Sequence, residues 1–290
     1  MARGFGSQSM IAPLKKALLR SPIEEDEHVK DWRKWGYYRK PDVERAREEH
    51  EMFMETLRCE GVQVFLVEDS CKERLDAVFT SDTATVTDKG AVILRMGKEL
   101  RRGEEEEVRR RLVELGVPIL GEIHGDATLE GGDILWLDRR TVVVGRSYRS
   151  NSLGFDQFKH LVEGFVEVVE QVDLPHWHGP GKCLHLLSLI SMVDEDLAVA
   201  YPELIPVPLA EKLRLRGVKL ITVPPSEFKT QGCNVLTLKP RKCVMVAGNT
   251  ETRRALEREG AEVIEFEGEE ICINREGGPT CMVCSILREY

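Results

Sequence analysis

Two cysteines stand three apart in "GGPTCMVCSI", close to the end of a 290-residue chain. A pair so spaced suits a redox disulfide, half of a tetrahedral metal site, or one nucleophile with an incidental neighbour. A redox pair of this type opens a helix after a strand, whereas Cys281 heads a strand. A zinc site needs a second ligand pair, and "HWHGPGKCLH" offers His176, His178, Cys183 and His185. Their spacing matches no finger or ribbon, so no dedicated metal site is expected, only adventitious inhibition by metal through Cys281 and His185. A cysteine nucleophile needs a thiolate and a proton shuttle, and a shuttle imidazole works best when a carboxylate fixes it. Cys281, His185 and Glu130 can fill those roles, with Cys284 left as a packed strand residue.

These residues are up to about 150 positions apart, and a repeat brings them together. A unit of strand, turn, strand, helix, strand recurs about every 50 residues. Its copies begin at "ATVTDKGAVILRM", "DILWLDRRTVVVG", "LSLISMVDEDLAVAY" and "NVLTLKPRKCVMVAG", each hairpin carrying a charged turn between apolar strands. The helix of the second copy is expected over "FDQFKHLVEGFVEVVEQV", with a poorly defined exit near "DLPHW". A fifth copy is split: "CMVCSIL" at the C-terminus supplies one strand, and the N-terminal "LKKALLRSP", "DVERAREEHEMFMETLRCEG" and "VQVFLVED" supply the rest. The array then closes into a ring, a single α/β propeller-like domain over residues 1–290 whose closure removes exposed sheet edges.

Just before or at the first strand of each unit stand Asp82, Glu130, His185, Asn234 and Cys281. Equivalent positions of a ring face the same end of its axis, so two carboxylates, an imidazole, an amide and a thiol converge. Two carboxylates and a thiol in one cavity select a cation. A planar guanidinium, which pairs with carboxylates through parallel N–H bonds, is the natural occupant. Gly131-Gly132 and Gly277-Gly278 suit places where backbone approaches a ligand closely.

Lys+Arg 41 against Asp+Glu 50 gives a net charge of −9, which argues against a nucleic-acid or anionic-membrane surface. No apolar run reaches the roughly 18 residues of a membrane helix, and "MARGFGSQSMIAPL" has no signal-type apolar region. A cytoplasmic protein with eight reduced cysteines is expected, with a small molecule as partner and a homodimer as a candidate assembly. In "GEEEEVRRRL" the pairs Glu105–Arg109, Glu106–Arg110 and Glu107–Arg111 are expected at i,i+4 on a solvated face. Residues 24–42, with Trp32, Trp35, Tyr37 and Tyr38, are expected to form a lid over the pocket.

From "FTSDTATVTDKGAVI" through "LEGGDILWLDRRTVVVGRSYRSN" and "CLHLLSLISM" to "GGPTCMVC", the chain resembles the guanidino-group-modifying superfamily of dimethylarginine dimethylaminohydrolases, arginine deiminases and amidinotransferases. The resemblance implies a pentameric α/β propeller of ββαβ units and no cofactor. It implies that Cys281 attacks the guanidino carbon and that His185 protonates the departing amine, then activates water against a covalent thiouronium. Glu130 and Asp82 would hold the guanidinium nitrogens, Arg149 and Arg95 the substrate carboxylate, and Asn234 would join the binding set. Deiminases carry an aspartate two residues after the histidine, where this chain has Leu187, and often a histidine where it has Thr280. These departures favour a dimethylargininase-like hydrolysis giving citrulline and an amine, with arginine deiminase or dihydrolase and amidinotransferase chemistry as alternatives. A rival of another class is a non-catalytic, ribosome-binding propeller of the initiation-factor kind, which needs no thiol, imidazole and carboxylate set.

Overall fold

The computed structural model describes residues 4–22, 28–68 and 73–289. Along the chain run β1 (Leu14–Leu19), α1 (Trp32–Trp35), α2 (Val43–Cys59) and β2 (Gln63–Leu66), then β3 (Ala84–Thr87), β4 (Gly90–Ile93), α3 (Glu104–Glu114) and β5 (Ile119–Glu122). The middle holds β6 (Ile134–Asp138), β7 (Thr141–Arg146), α4 (Ser152–Val162), β8 (Val168–Asp173), β9 (Ile190–Asp194), β10 (Leu197–Ala200), α5 (Val207–Leu215), β11 (Lys219–Thr222) and α6 (Pro225–Phe228). The chain finishes with β12 (Leu236–Lys239), β13 (Lys242–Val246), α7 (Thr250–Arg258), β14 (Glu262–Phe266) and β15 (Cys284–Arg288).

Among the described residues these strands form five sheets of three, so the fold is mixed α/β with small sheets. In four of them an antiparallel hairpin is followed, across a helix, by a third strand parallel to the second. The fifth sheet is β15-β1-β2, with β1 antiparallel to β15 and parallel to β2, which is the expected split unit. β-Branched runs such as Val142, Val143 and Val144 of β7 fill both faces of an inner strand. The β3–β4 turn depends on Gly90, whose φ is 139° and whose missing Cβ would fall 2.5 Å from the Pro118 carbonyl oxygen.

The helices start where short polar side chains cap them. Asp42 accepts from Arg45 N at 3.1 Å to open α2, and Asn151 accepts from Gly154 N at 2.9 Å to open α4. From α2, Ala46, Phe53, Met54 and Leu57 pack in one core cluster with Phe266 of β14. Two expectations are corrected. The second helix ends at Val162 instead of continuing to residue 172, and Val168–Asp173 forms β8 beside β7. Gly164 and the valine-rich stretch beyond it weaken a helix and pack well on a sheet. On α3 the exposed arginines pair at i,i+3, Arg109 with Glu106 and Arg110 with Glu107, while Arg109 also reaches Glu122.

The loops that precede the first strands, together with Ser191 of β9, are tied to one another in a circuit. Gly132 N donates to Asp82 Oδ1 at 3.0 Å, Leu186 N to Asp133 Oδ1 at 2.9 Å, and Val235 N to Ser191 Oγ at 3.1 Å. Thr280 N donates to Asn234 Oδ1 at 3.0 Å, and Ser81 N to the Cys281 carbonyl at 3.0 Å. Each unit's backbone N–H thus satisfies an acceptor of the unit before it, and the fifth step returns to the first unit.

No helix among the described residues is long and apolar enough to cross a membrane. His50 of α2 is buried, and burial, with Arg275 and Arg58 adding positive charge nearby, lowers its pKa from 6.5 to about 3. The unfolded chain therefore accepts a proton between those values that the native protein refuses. Stability from this group is complete above pH 6.5 and is lost as pH falls, by about 1.4 kcal/mol per pH unit. Urea unfolding of wild type and His50→Leu should show the wild-type advantage shrinking from pH 6.5 towards pH 4. A difference independent of pH would contradict this assignment.

Candidate active site

The five loops place their polar side chains at one end of the first strands. Asp82 lies in a single 3-10 turn, Thr80–Thr83, directly before β3. Glu130 and His185 each stand immediately before such a turn, Gly131–Asp133 and Leu186–Ser188. Asn234 and Cys281 occupy the loops leading into β12 and β15. Irregular backbone just ahead of a rigid strand lets a side chain turn towards the axis while the strand fixes its position.

His185 Nε2 bonds Glu130 Oε2 at 2.8 Å, and His185 Nδ1 lies 3.9 Å from Asp82 Oδ1. All three side chains are buried. A Cβ at Gly132 would sit 2.3 Å from His185 Nδ1, so only glycine lets the imidazole reach Glu130. Asn234 Nδ2 donates to Cys281 Sγ at 3.3 Å while its Oδ1 accepts from Thr280, which orients the amide. Gly278 makes room for that amide, because a Cβ there would meet Asn234 Cγ at 2.3 Å.

Charges set the protonation states. Burial works against ionisation of Glu130, but Arg149, His185 and Arg101 outweigh it and hold the carboxyl below its usual range. Burial also opposes a charged His185, yet the negative charge of Cys183 when ionised, of Asp82 and of Asp133 raises its pKa well above 6.5. The negative charges of Asp82 and Asp133 beside the ring thus favour an imidazolium on the Glu130 carboxylate. Burial and Asp82 push the Cys281 thiol up, partly offset by the Gly278 backbone, His185 and Asn234. Cys284 is an inert core thiol, raised by burial to about 12.

Of the substrate-binding candidates, Arg149 Nη1 bridges both Glu130 oxygens at 3.3 and 3.4 Å. Arg95 pairs its backbone with Leu129, the residue before Glu130, and its Nε is buried without a hydrogen-bond partner. Leu187 is buried among Leu135, Ile190 and Met192, apolar where a deiminase-type acid would stand. The seven described cysteines are all free, and Cys71 lies outside the described residues. Of the expected lid, residues 24–27 also lie outside them. Farther along, Tyr37 is buried with Val43 and Leu75 and accepts from Arg275 Nη1 at 3.1 Å. Tyr38 borders a pocket shared with Cys183 and Asn234. The segment reaches the site itself through Lys98, whose Nζ bonds the Trp35 carbonyl at 2.7 Å and whose N–H donates to Glu130 at 3.1 Å.

Three residues of the site are not marked by their sequence position, and a fourth, Cys183, stands out in the sequence only as a possible metal ligand. Arg101 is buried between Asp82 (2.6 Å) and Glu104 (2.9 Å) and bonds the Phe79 carbonyl, so it supplies the counter-charge for Asp82. Asp76 is buried, with one oxygen on Lys98 Nζ at 2.6 Å and Oδ1 without a partner. Asp133 positions the histidine loop by accepting from Leu186 N and from Ser147 Oγ. Cys183 Sγ lies 3.5 and 3.7 Å from the two ring nitrogens of His185. A sulfur so nearly equidistant in the ring plane would overlap the carbon between them, so it rests over the ring face. Asp133, third after Glu130 in "EGGD", had the clearest sequence signal. Ligand atoms of Asp82, Glu130 and His185 lie within 4.8 Å of one another, a cluster that favours a cation in general.

Arg101→Met would strand two buried carboxylates. Removing one partner of a buried ion pair costs about 3–5 kcal/mol, so the urea midpoint should fall by the equivalent of about 3 kcal/mol or more; a change below about 1 kcal/mol would show that Arg101 is not their counter-charge.

A family profile described as N,N dimethylarginine dimethylhydrolase, eukaryotic, matches residues 23–288. An N(G),N(G)-dimethylarginine dimethylaminohydrolase of Pseudomonas aeruginosa is 28% identical over 249 residues, spanning 84% of this chain and 89% of that protein. An enzyme of the same name from Streptomyces coelicolor is 28% identical over 290 residues, 96% of this chain and 99% of its own. A mutant of the Pseudomonas aeruginosa enzyme solved in complex with citrulline superposes with a TM-score of 0.77 at 25% identity, covering 96% of this chain and 100% of that one. With nearly the whole sequence matched, the chain belongs to the N,N-dimethylarginine dimethylhydrolase family.

Proposed function

We propose that the protein is a cysteine-dependent hydrolase acting on the guanidino carbon of an N-substituted arginine, giving citrulline and an amine. Residues 1–290 would form one catalytic domain, a pentameric α/β propeller closed by the N-terminal segment. The observation that carries this reading is the convergence of Asp82, Glu130, His185 and Cys281 from equivalent loops, with the imidazole locked on Glu130 at 2.8 Å. The activity named for the relatives, and the citrulline bound by the Pseudomonas aeruginosa enzyme, support the same substrate class. The apolar Leu187 in the histidine loop agrees with an N-substituted guanidinium in preference to an unsubstituted one.

The protonation states suggest the order of events. In the empty site the raised pKa of Cys281 keeps it mostly a thiol. A guanidinium seated on the carboxylates brings a positive charge to the sulfur and favours loss of the thiol proton to solvent, so the substrate completes its own nucleophile. The thiolate forms an S–C bond to the guanidino carbon. His185, held by Glu130 through Nε2, gives its Nδ1 proton to the departing amine as the C–N bond breaks. The remaining species is a thiouronium on Cys281. Neutral His185 then takes one proton from water as its oxygen adds to the same carbon; the S–C bond breaks to give the ureido product and the thiolate, and the second water proton passes to the released amine through solvent. Glu130, Asp82 and Asp76, the last with an unpartnered oxygen, are the acids available to the guanidinium nitrogens. No step calls for a cofactor.

Cys281→Ser should lower kcat on Nω,Nω-dimethyl-L-arginine about a thousandfold or more, followed by the release of dimethylamine; retention of full turnover would sink the mechanism. A cationic haloacetamidine should label Cys281 ahead of the other cysteines, at a rate rising with pH because the thiol titrates above its ordinary value. Burial pushes Cys243, like Cys284, to about 12, and neither should compete. Slow, uniform labelling of all the thiols would contradict a specialised site.

A further inference from the structure

Glu130 has no acceptor capacity to spare. An ionised carboxylate offers about four lone-pair sites. Gly97 N and Lys98 N take Oε1 at 2.9 and 3.1 Å, and His185 Nε2 takes Oε2 at 2.8 Å. Arg149 Nη1 fills what is left, across both oxygens at 3.3 and 3.4 Å. The carboxylate that must receive a guanidinium therefore already holds one.

The four donors are not equally fixed. Two are backbone amides, and the imidazole is wedged against Gly132. The Arg149 contacts are the longest, and its guanidinium sits at the end of a flexible side chain. Its backbone, by contrast, is clamped: Arg149 N donates to Ser147 Oγ at 3.0 Å, and a Cβ on Gly97 would lie 2.3 Å from the Arg149 carbonyl oxygen. A fixed root with a displaceable head is the geometry of an exchangeable internal ligand.

We propose that Arg149 occupies the substrate's guanidinium position in the empty protein, and that a substrate enters by exchanging ion pairs with it. The incoming guanidinium takes the place of Arg149 on Glu130, and an anionic group at the other end of the same molecule receives the displaced Arg149. The exchange rests on Glu130 being a guanidinium acceptor in the proposed reaction and on the carboxylate-binding role that the resemblance implies for Arg149; what it adds is that the two contacts form in one coupled event. A guanidino compound without an anionic tail must leave a largely buried arginine without a counter-charge, which is strongly disfavoured. Carboxylated guanidines are thereby chosen over decarboxylated ones with the same reacting head.

The test reads equilibrium binding by calorimetry in the Cys281→Ser background, where turnover does not interfere. Methylguanidine is the probe without a tail. Arg149→Met should bind it about tenfold more tightly than the parent, and the parent's preference for Nω,Nω-dimethyl-L-arginine over its decarboxylated counterpart should fall at least tenfold in the variant. Methylguanidine binding that is unchanged or weakened by Arg149→Met would overturn the exchange. A second measurement needs no change at Arg149: with that residue in place, acetate should raise methylguanidine affinity several-fold against a sodium chloride control of equal ionic strength, because each ligand takes one half of the broken pair. Absence of that coupling would overturn the exchange even if the Met variant failed to fold. Loss of turnover on dimethylarginine by the unaltered protein would count against the proposed function, while methylguanidine binding would still report on Arg149.

Discussion

The arrangement of this protein hangs on a closed circuit of five hydrogen bonds, each running from a backbone N–H of one unit to an acceptor in the preceding unit, in its loop in four cases and at Ser191 of β9 in the other. Buried amides must find acceptors, and here the acceptors include groups to which the proposed reaction assigns a role. Asp82 and Asn234 each serve as a link while presenting their remaining atoms to the site. The catalytic geometry and the joining of the units are therefore one structural problem. Gly132 and Gly278 belong to the same solution, because any side chain there would separate the imidazole or the amide from its partner.

Charge compensation is the second layer. Asp76, Asp82, Glu130 and Asp133 are buried close together, which is tolerable only with positive charge supplied from within the fold. Arg101 answers Asp82, Lys98 answers Asp76, and His185 with Arg149 answers Glu130. The partners differ in permanence. Arg101 is fully enclosed and bonded on several sides, a structural counter-ion, whereas Arg149 meets Glu130 at the limit of hydrogen-bonding distance. That contrast turns a stable cluster into one able to accept a cationic ligand.

Much of this was legible in the sequence because a repeat converts periodicity into geometry. With the hairpins and their charged turns in register, Asp82, Glu130, His185, Asn234 and Cys281 fall at equivalent places, and the split unit accounts for a candidate nucleophile so near the last strand. The end of α4 was misread because "VEVVEQV" has apolar spacing compatible with either a helix or a strand, and only its pairing with β7 decides. The i,i+4 pairs expected on α3 give way because each arginine also reaches beyond the helix, Arg109 to Glu122, Arg110 to the Glu68 carbonyl and Arg111 to the Leu66 carbonyl. Arg101 and Asp76 are illegible for a different reason: each matters through a partner distant in sequence or set by a loop's path, and neither occupies the repeated position. Cys183 is legible only as a possible metal ligand, because its contact with His185 depends on the loop's path.

The central claim, that a thiol placed by the fifth loop attacks a guanidino carbon, is tested most directly by rapid acid quench during turnover of dimethylarginine, followed by peptide mass spectrometry. The account predicts a transient thiouronium adduct, equal to the substrate less dimethylamine, on the peptide carrying Cys281 and absent after Cys281→Ser. Turnover with no adduct on any cysteine, or with the adduct on Cys183 or Cys284, would contradict it.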